Sequence, residues 1–152
     1  MPTLKTEWHG RYLELARTVG SWSKDPSRKI GAVAVGSKGQ VLAQGYNGFP
    51  RGIRHSPPRL NNREVKYKYV VHAEMNLIYN AGYNGASLDG STVYVTGLPT
   101  CSECAKGLIQ VGVHQVVMAS DAFDDMPEKW IESFEFTKEL FEEAGVIWQI
   151  HD

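Results

Sequence analysis

"STVYVTGLPTCSECAKGLIQVGVHQVVMAS", residues 91–120, decides the fold. Its first seven residues, STVYVTG, are rich in β-branched and aromatic side chains and read as a strand. CSECAKGLIQVG (101–112) reads as a short helix, and HQVVMAS (114–120) as a second strand. Strand, helix and strand in thirty residues make a right-handed crossover with parallel strands. Downstream, Pro127 opens a helix that runs to Ala144, with Gly145 after it, and VIWQI (146–150) is a last strand.

Upstream, VVHAEMNLIYNAG (70–82) reads as a helix with Ala73, Leu77, Ile78 and Ala81 on its buried side and Gly82 as its C-cap. Ile30 to Gly48 is two apolar runs around Ser37-Lys38-Gly39-Gln40, which predicts a β-hairpin. Glu7 to Val19 is an amphipathic helix with Trp8, Tyr12, Leu15 and Val19 at helical spacing. Phe49 to Tyr67, with Pro50, Pro57, Pro58, Asn61 and Asn62, has no clean period and reads as a long loop. The sum is an α/β chain with a partly parallel sheet and helices on its faces.

With 152 residues, the chain suits one domain, taken as 1–152. Its 42% hydrophobic and 22% charged content is that of an ordinary globule. No run is apolar enough to span a membrane, and the first twenty residues do not read as a signal peptide, so the expectation is cytoplasmic. A net charge of -1 argues against a nucleic-acid partner. Charge is uneven, however. Residues 50–69 carry Arg51, Arg54, Arg59, Arg63, Lys66 and Lys68 against Glu64 alone, while 121–152 carry ten acids against Lys129 and Lys138. Such segments are either solvated surface or, for the basic one, a phosphate-binding loop.

The chain has two cysteines, Cys101 and Cys104, three positions apart at the start of a helix. There both sulfurs share a face, and the free N–H groups of the first turn favour thiolate. A metal site, a redox pair and two merely buried cysteines all fit this spacing. His72-Ala73-Glu74 opens the earlier helix. If both helices start at one sheet edge, His72, Cys101 and Cys104 meet as three ligands, with Glu74 close but free. Three protein ligands leave zinc one open position, which marks a catalytic site. A structural zinc clip needs a fourth ligand, and His9, His55, His114 and His151 have no supporting motif.

HAE followed by CSEC resembles the H-x-E and P-C-x-x-C signature of zinc-dependent nucleobase deaminases, with Pro99 displaced one residue by Thr100. DPSRKIGAV, GYNGFPRGI, KYKYVVHAEMNLI and LPTCSECAKGLIQVGV extend the likeness from Trp8 to Ile150. They are similar to the deoxycytidylate (dCMP) deaminase branch of the cytidine deaminase-like superfamily. The resemblance implies a three-layer α-β-α sandwich around a five-stranded mixed sheet, and a homo-oligomer, a hexamer before a dimer. It implies one zinc ion on His72, Cys101 and Cys104, Glu74 as proton shuttle, and hydrolysis of dCMP to dUMP and ammonia for thymidylate supply. Other cytosine substrates (dCTP, cytidine, deoxycytidine), a tRNA adenosine and a non-catalytic zinc module are the competing readings.

A nucleotide brings a dianionic phosphate that needs cationic donors. Arg28 and Lys29, just before the first strand, and Arg51 and Arg54, after the second, are placed for it by the sequence. Asn47 resembles the family asparagine that holds a sugar hydroxyl or the base carbonyl. Ala73 and Thr100 complete the implied substrate contacts. The loop from Phe49 to Lys66 resembles a place for dCTP or dTTP effectors. Tyr67 and Tyr69 are expected to pack rather than to stack on a base, and Trp130 and Phe134 to be core or subunit interface.

Overall fold

The computed structural model describes residues 6–152; the reading of the extreme N-terminus rests partly on residues outside that range. The elements are α1 (Thr6–Gly20), β1 (Gly31–Val35), β2 (Val41–Tyr46), α2 (Pro57–Asn61), α3 (Arg63–Tyr69), α4 (Ala73–Asn84), β3 (Thr92–Thr96), α5 (Ser102–Gln110), β4 (Gln115–Ala119), a 3-10 turn (Ser120–Phe123), α6 (Glu128–Ala144) and β5 (Ile147–His151). The five strands form one sheet in the order β2-β1-β3-β4-β5. β1 is antiparallel to both β2 and β3, while β3, β4 and β5 run parallel. The sheet is therefore mixed, as the strand–helix–strand pattern demands.

Alternation along the strands divides the core in two. Val33, Val35, Tyr94, Val117 and Ala119 face α1, where they meet Tyr12, Leu13, Ala16 and Val19. Ala32, Ala34, Val93, Val95, Val116 and Met118 face the other way and pack against α4, α5 and α6. All three central strands are buried along their whole length, so both faces are covered. Each large side chain lost to water there, such as Leu77 or Leu108, stabilises the fold by about 1.5–3 kcal/mol. No helix among the described residues is long and apolar enough to cross a membrane.

Four expectations shift. In α1, Tyr12 and Val19 are buried as read, but Trp8 and Leu15 lie on the exposed side. Ala16 marks the closest approach of α1 to β1, since Gly31 sits against its carbonyl, where any Cβ would collide. α4 does not stop at Gly82; it continues to Asn84 and is capped by Gly85 at φ 66°. Phe49 to Tyr67 is not a bare loop, since α2 and α3 lie within or across it. Pro57 opens α2, and Asn62 caps α3 by accepting from the Val65 N–H. Pro127 is the residue before α6 rather than its first.

Candidate active site and metal centre

The register gathers one edge of the sheet. Gly31 at the start of β1 pairs with Tyr46 at the end of β2 and with Thr96 at the end of β3. Asn47, Ile30 and Gly97 therefore leave the sheet side by side. An isolated bridge between Gly48 and Val71 brings the chain before α4 to the same edge. Gly45 lets α4 lie against β2, since a Cβ there would come within 2.5 Å of the Ala73 carbonyl oxygen. Both α4 and α5 thus begin at this edge.

His72 is the N-cap of α4, and Cys101 the N-cap of α5. His72 makes no side-chain cap, so its ring is free to turn outward. Its Nδ1 lies 3.4 Å from the Cys101 sulfur and 3.4 Å from the Cys104 sulfur. All three donor atoms fall within 4.8 Å of one another. Tetrahedral zinc with ordinary Zn–N and Zn–S bonds would set nitrogen and sulfur about 3.6 Å apart. The cluster therefore fits zinc with three protein ligands and leaves a fourth position for a small molecule. Both cysteines are free thiols and both are buried. The Cys101 sulfur also accepts from the Cys104 N–H at the start of α5. The Cys104 thiol first, and then the His72 ring, hold the Cys101 thiol low, at about 4, whereas Cys101 and burial push the Cys104 thiol up. The His72 imidazole is raised, chiefly by its contact with Cys101.

Glu74 sits in the first turn of α4 and is 3% exposed. Burial raises its carboxyl to about 7, helped by the neighbouring Cys101, so near neutral pH it both takes and gives protons. Thr100 is fully buried beside it. Its hydroxyl is near enough to favour the Glu74 carboxylate but makes no hydrogen bond of normal geometry.

The remaining expected residues divide. Ala73 is buried at the start of α4. Asn47 is a hub: its Oδ1 accepts from the Ile30 N–H at 2.9 Å, and its Nδ2 donates to the Arg28 carbonyl at 2.9 Å and reaches Asp25 at 3.5 Å. Arg28 donates to the carbonyls of Gly97, Asp124 and Asp125. The Lys29 ammonium donates to the Ser23 carbonyl. Arg51 is placed elsewhere, donating to Asn80 on α4 and lying over the Tyr83 ring. Tyr69 packs on Phe49, while Tyr67 is exposed.

Several functional contacts had no signal in the sequence. Lys66, one of a run of basic residues, is 5% exposed and bonds Asp25 at 3.1 Å and the Ser27 hydroxyl at 3.3 Å. Trp130 is more than packing: its ring lies 5.6 Å from that of His72, and its indole N–H donates to the Pro99 carbonyl at 2.6 Å. Phe134 is core, as expected.

A buried acid beside an open His-Cys-Cys site, at the edge of an α-β-α sandwich, defines a zinc hydrolase of the nucleobase-deaminase type. The comparisons with known proteins sharpen this. Residues 6–120 match the model of the cytidine and deoxycytidylate deaminase zinc-binding region, and the chain belongs to that family. It is 36% identical over 148 residues to the deoxycytidylate deaminase of Homo sapiens, covering 94% of this chain and 79% of that protein. An uncharacterized deaminase of Aliivibrio fischeri, from the luxG 3' region, is 36% identical over 141 residues, covering 93% and 91%. Among solved structures, the dCMP deaminase of cyanophage S-TIM5 in apo form superposes with a TM-score of 0.72 at 25% identity, covering 97% of this chain and all of that one.

Proposed function

We propose that the protein hydrolyses dCMP to dUMP and ammonia, feeding thymidylate supply. The observation that carries this is Glu74, buried and set beside the His72-Cys101-Cys104 cluster. Relatives named deoxycytidylate deaminase support the substrate. So does the S-TIM5 enzyme in complex with dCMP and dUMP, which is 24% identical with a TM-score of 0.75.

His72, Cys101 and Cys104 would hold zinc, which would supply a Lewis acid that acidifies the attacking water. Glu74 takes a proton from the attacking water and delivers it to N3 of cytosine, which makes C4 more electrophilic. Glu74 then moves a second proton to the amino group, which leaves as ammonia. A carboxyl held at about 7 is matched to this double duty. The Ala73 backbone and Thr100 form the wall around the base. Asn47 keeps one free lone pair on Oδ1 for a sugar hydroxyl. Arg28, Lys29 and Arg51 are the proposed phosphate contacts. The first two stand at the sheet edge, and Arg51 would have to leave Asn80 to reach it.

One domain, 1–152, carries the activity in this reading. The chain works as a homo-oligomer, supported by exposed rings at Tyr46, Tyr79 and Tyr83. A cavity of about 850 Å³ lined by Phe49, Arg51, His55, Asn76, Tyr79 and Tyr83 is the proposed effector place for dCTP or dTTP. Two free cysteines suit a cytoplasmic, reducing setting.

The test is ammonia release from dCMP, dCTP, deoxycytidine and cytosine. dCMP should be the best substrate, and Glu74→Gln should retain zinc while turnover falls by about 10²–10⁴. Turnover at the wild-type rate in Glu74→Gln, or release from deoxycytidine alone, overturns the reading. Arg28→Ala and Arg51→Ala should impair dCMP more than deoxycytidine; equal losses remove those residues from phosphate binding.

A further inference from the structure

We propose that α6 is the positioning element of the zinc site, with Trp130, Ser133 and Thr137 holding the turn that aims Cys101 and Cys104. The turn from Pro99 to Ser102 lies between the end of β3 and the first residue of α5. Its backbone groups have left the sheet ladder, and the N–H at a helix start has no partner within the helix. Three of these groups are met by side chains of α6. The Trp130 indole donates to the Pro99 carbonyl at 2.6 Å. The Thr137 hydroxyl donates to the Thr100 carbonyl at 2.9 Å. The Ser102 N–H donates to the Ser133 hydroxyl at 2.8 Å, and that hydroxyl also reaches the Ser102 hydroxyl at 3.2 Å.

Positions 130, 133 and 137 follow helical spacing, so one stripe of α6 makes all these contacts. The apolar work of the helix is done by others, chiefly Phe134 and Phe141. Thr137 is fully buried, where a hydroxyl is kept only if it is bonded. Trp130 reaches further, since its ring lies against His72. One residue therefore touches the imidazole ligand and fixes the approach to the thiolate pair. The matched family region ends at residue 120, so Trp130, Ser133 and Thr137 lie outside it, while the turn they hold lies within it. Partners that orient metal ligands typically change affinity or activity 10–100-fold when removed.

The inference rests on zinc binding at His72, Cys101 and Cys104. The test is competition of the full-length protein with a chromophoric chelator for zinc, beside the visible spectrum of the cobalt-substituted protein. The variants are Thr137→Val, Thr137→Ser, Ser133→Ala and Trp130→Phe, each with its melting curve. Thr137→Val and Trp130→Phe should weaken zinc binding by about 10–100-fold and shift the cobalt bands. Thr137→Ser, which keeps the hydroxyl, should restore both. If the wild type binds no zinc, the zinc reading itself fails. If it binds and the folded variants match its affinity and its cobalt spectrum, the role of α6 fails. It also fails if Thr137→Ser loses as much as Thr137→Val. Should Thr137→Val not fold, Ser133→Ala and Trp130→Phe, at half-buried positions, decide by the same two readouts.

Discussion

Replacing Lys66 by Met breaks the ion pair with Asp25 while keeping an apolar stem of similar reach. The two side chains are 7% and 11% exposed and 3.1 Å apart. Removing one member of a buried pair costs about 3–5 kcal/mol, because the other charge is left without its counterpart. Here the remaining Asp25 carboxylate still accepts from the N–H groups of Ser27 and Arg28 and lies near the Asn47 amide. That residual solvation places the loss at the low end, about 3 kcal/mol. In a chain of this size it corresponds to a fall in Tm of about 6–12 °C. Urea unfolding of the zinc-loaded protein measures it, with the slope m as the control for two-state behaviour. Asp25→Asn combined with Lys66→Met removes both charges, and should recover about 2 kcal/mol relative to the sum of the single losses. A Lys66→Met protein within 1 kcal/mol of wild type at unchanged m, or two losses that simply add, would refute a buried, coupled pair.

Removal of zinc by a chelator should lower Tm; at free zinc 1,000-fold above Kd the difference is about 4 kcal/mol, or about 8–16 °C. Cys104→Ala should bind well under one equivalent of zinc by atomic absorption, and full occupancy would contradict the ligand set. Gly45→Ala drives a Cβ into the backbone of α4 at Ala73 and Leu77, so it should destabilise by about 1–3 kcal/mol and weaken zinc as His72 is displaced. An unchanged melting curve would show that the two backbones are not in contact. Burial first, and then His151, lower the pKa of His9, whose Nδ1 lies 2.8 Å from the Tyr94 hydroxyl. The folded state therefore disfavours the proton that an unfolded histidine takes up near pH 6.5. Stability should be complete above that pH and decline as pH falls through it, and the decline should be shallower in His9→Gln by equilibrium unfolding at a series of pH values.

The legible parts of this chain are those written in local pattern. The alternation of 92–96 and 115–119 around a short helix set the parallel strands, and HAE and CSEC marked the residues that the fold gathers into one cluster. The first turns of α4 and α5 meet because the strands before them end together, a consequence of register that sequence order already carries. What the sequence hid depends on partners far along the chain. Lys66 reads as one basic residue among six until Asp25, 41 positions away, is seen beneath it. Ser133 and Thr137 are unremarkable hydroxyls in an acidic helix, and their partners lie 31 and 37 residues back. α3 was readable, since Asn62 stands where an N-cap belongs, but the prolines before it suggested a loop.

The placement of His72 and Cys101 as helix caps has a further consequence. Neither hydrophobic cluster includes a metal ligand, and the caps are fixed by helices that those clusters already dock. The ion would thus be a late guest in a finished frame. Apoprotein should accumulate in folded form and be loaded afterwards, so the rate of zinc delivery, and not the rate of synthesis, would govern how quickly activity appears.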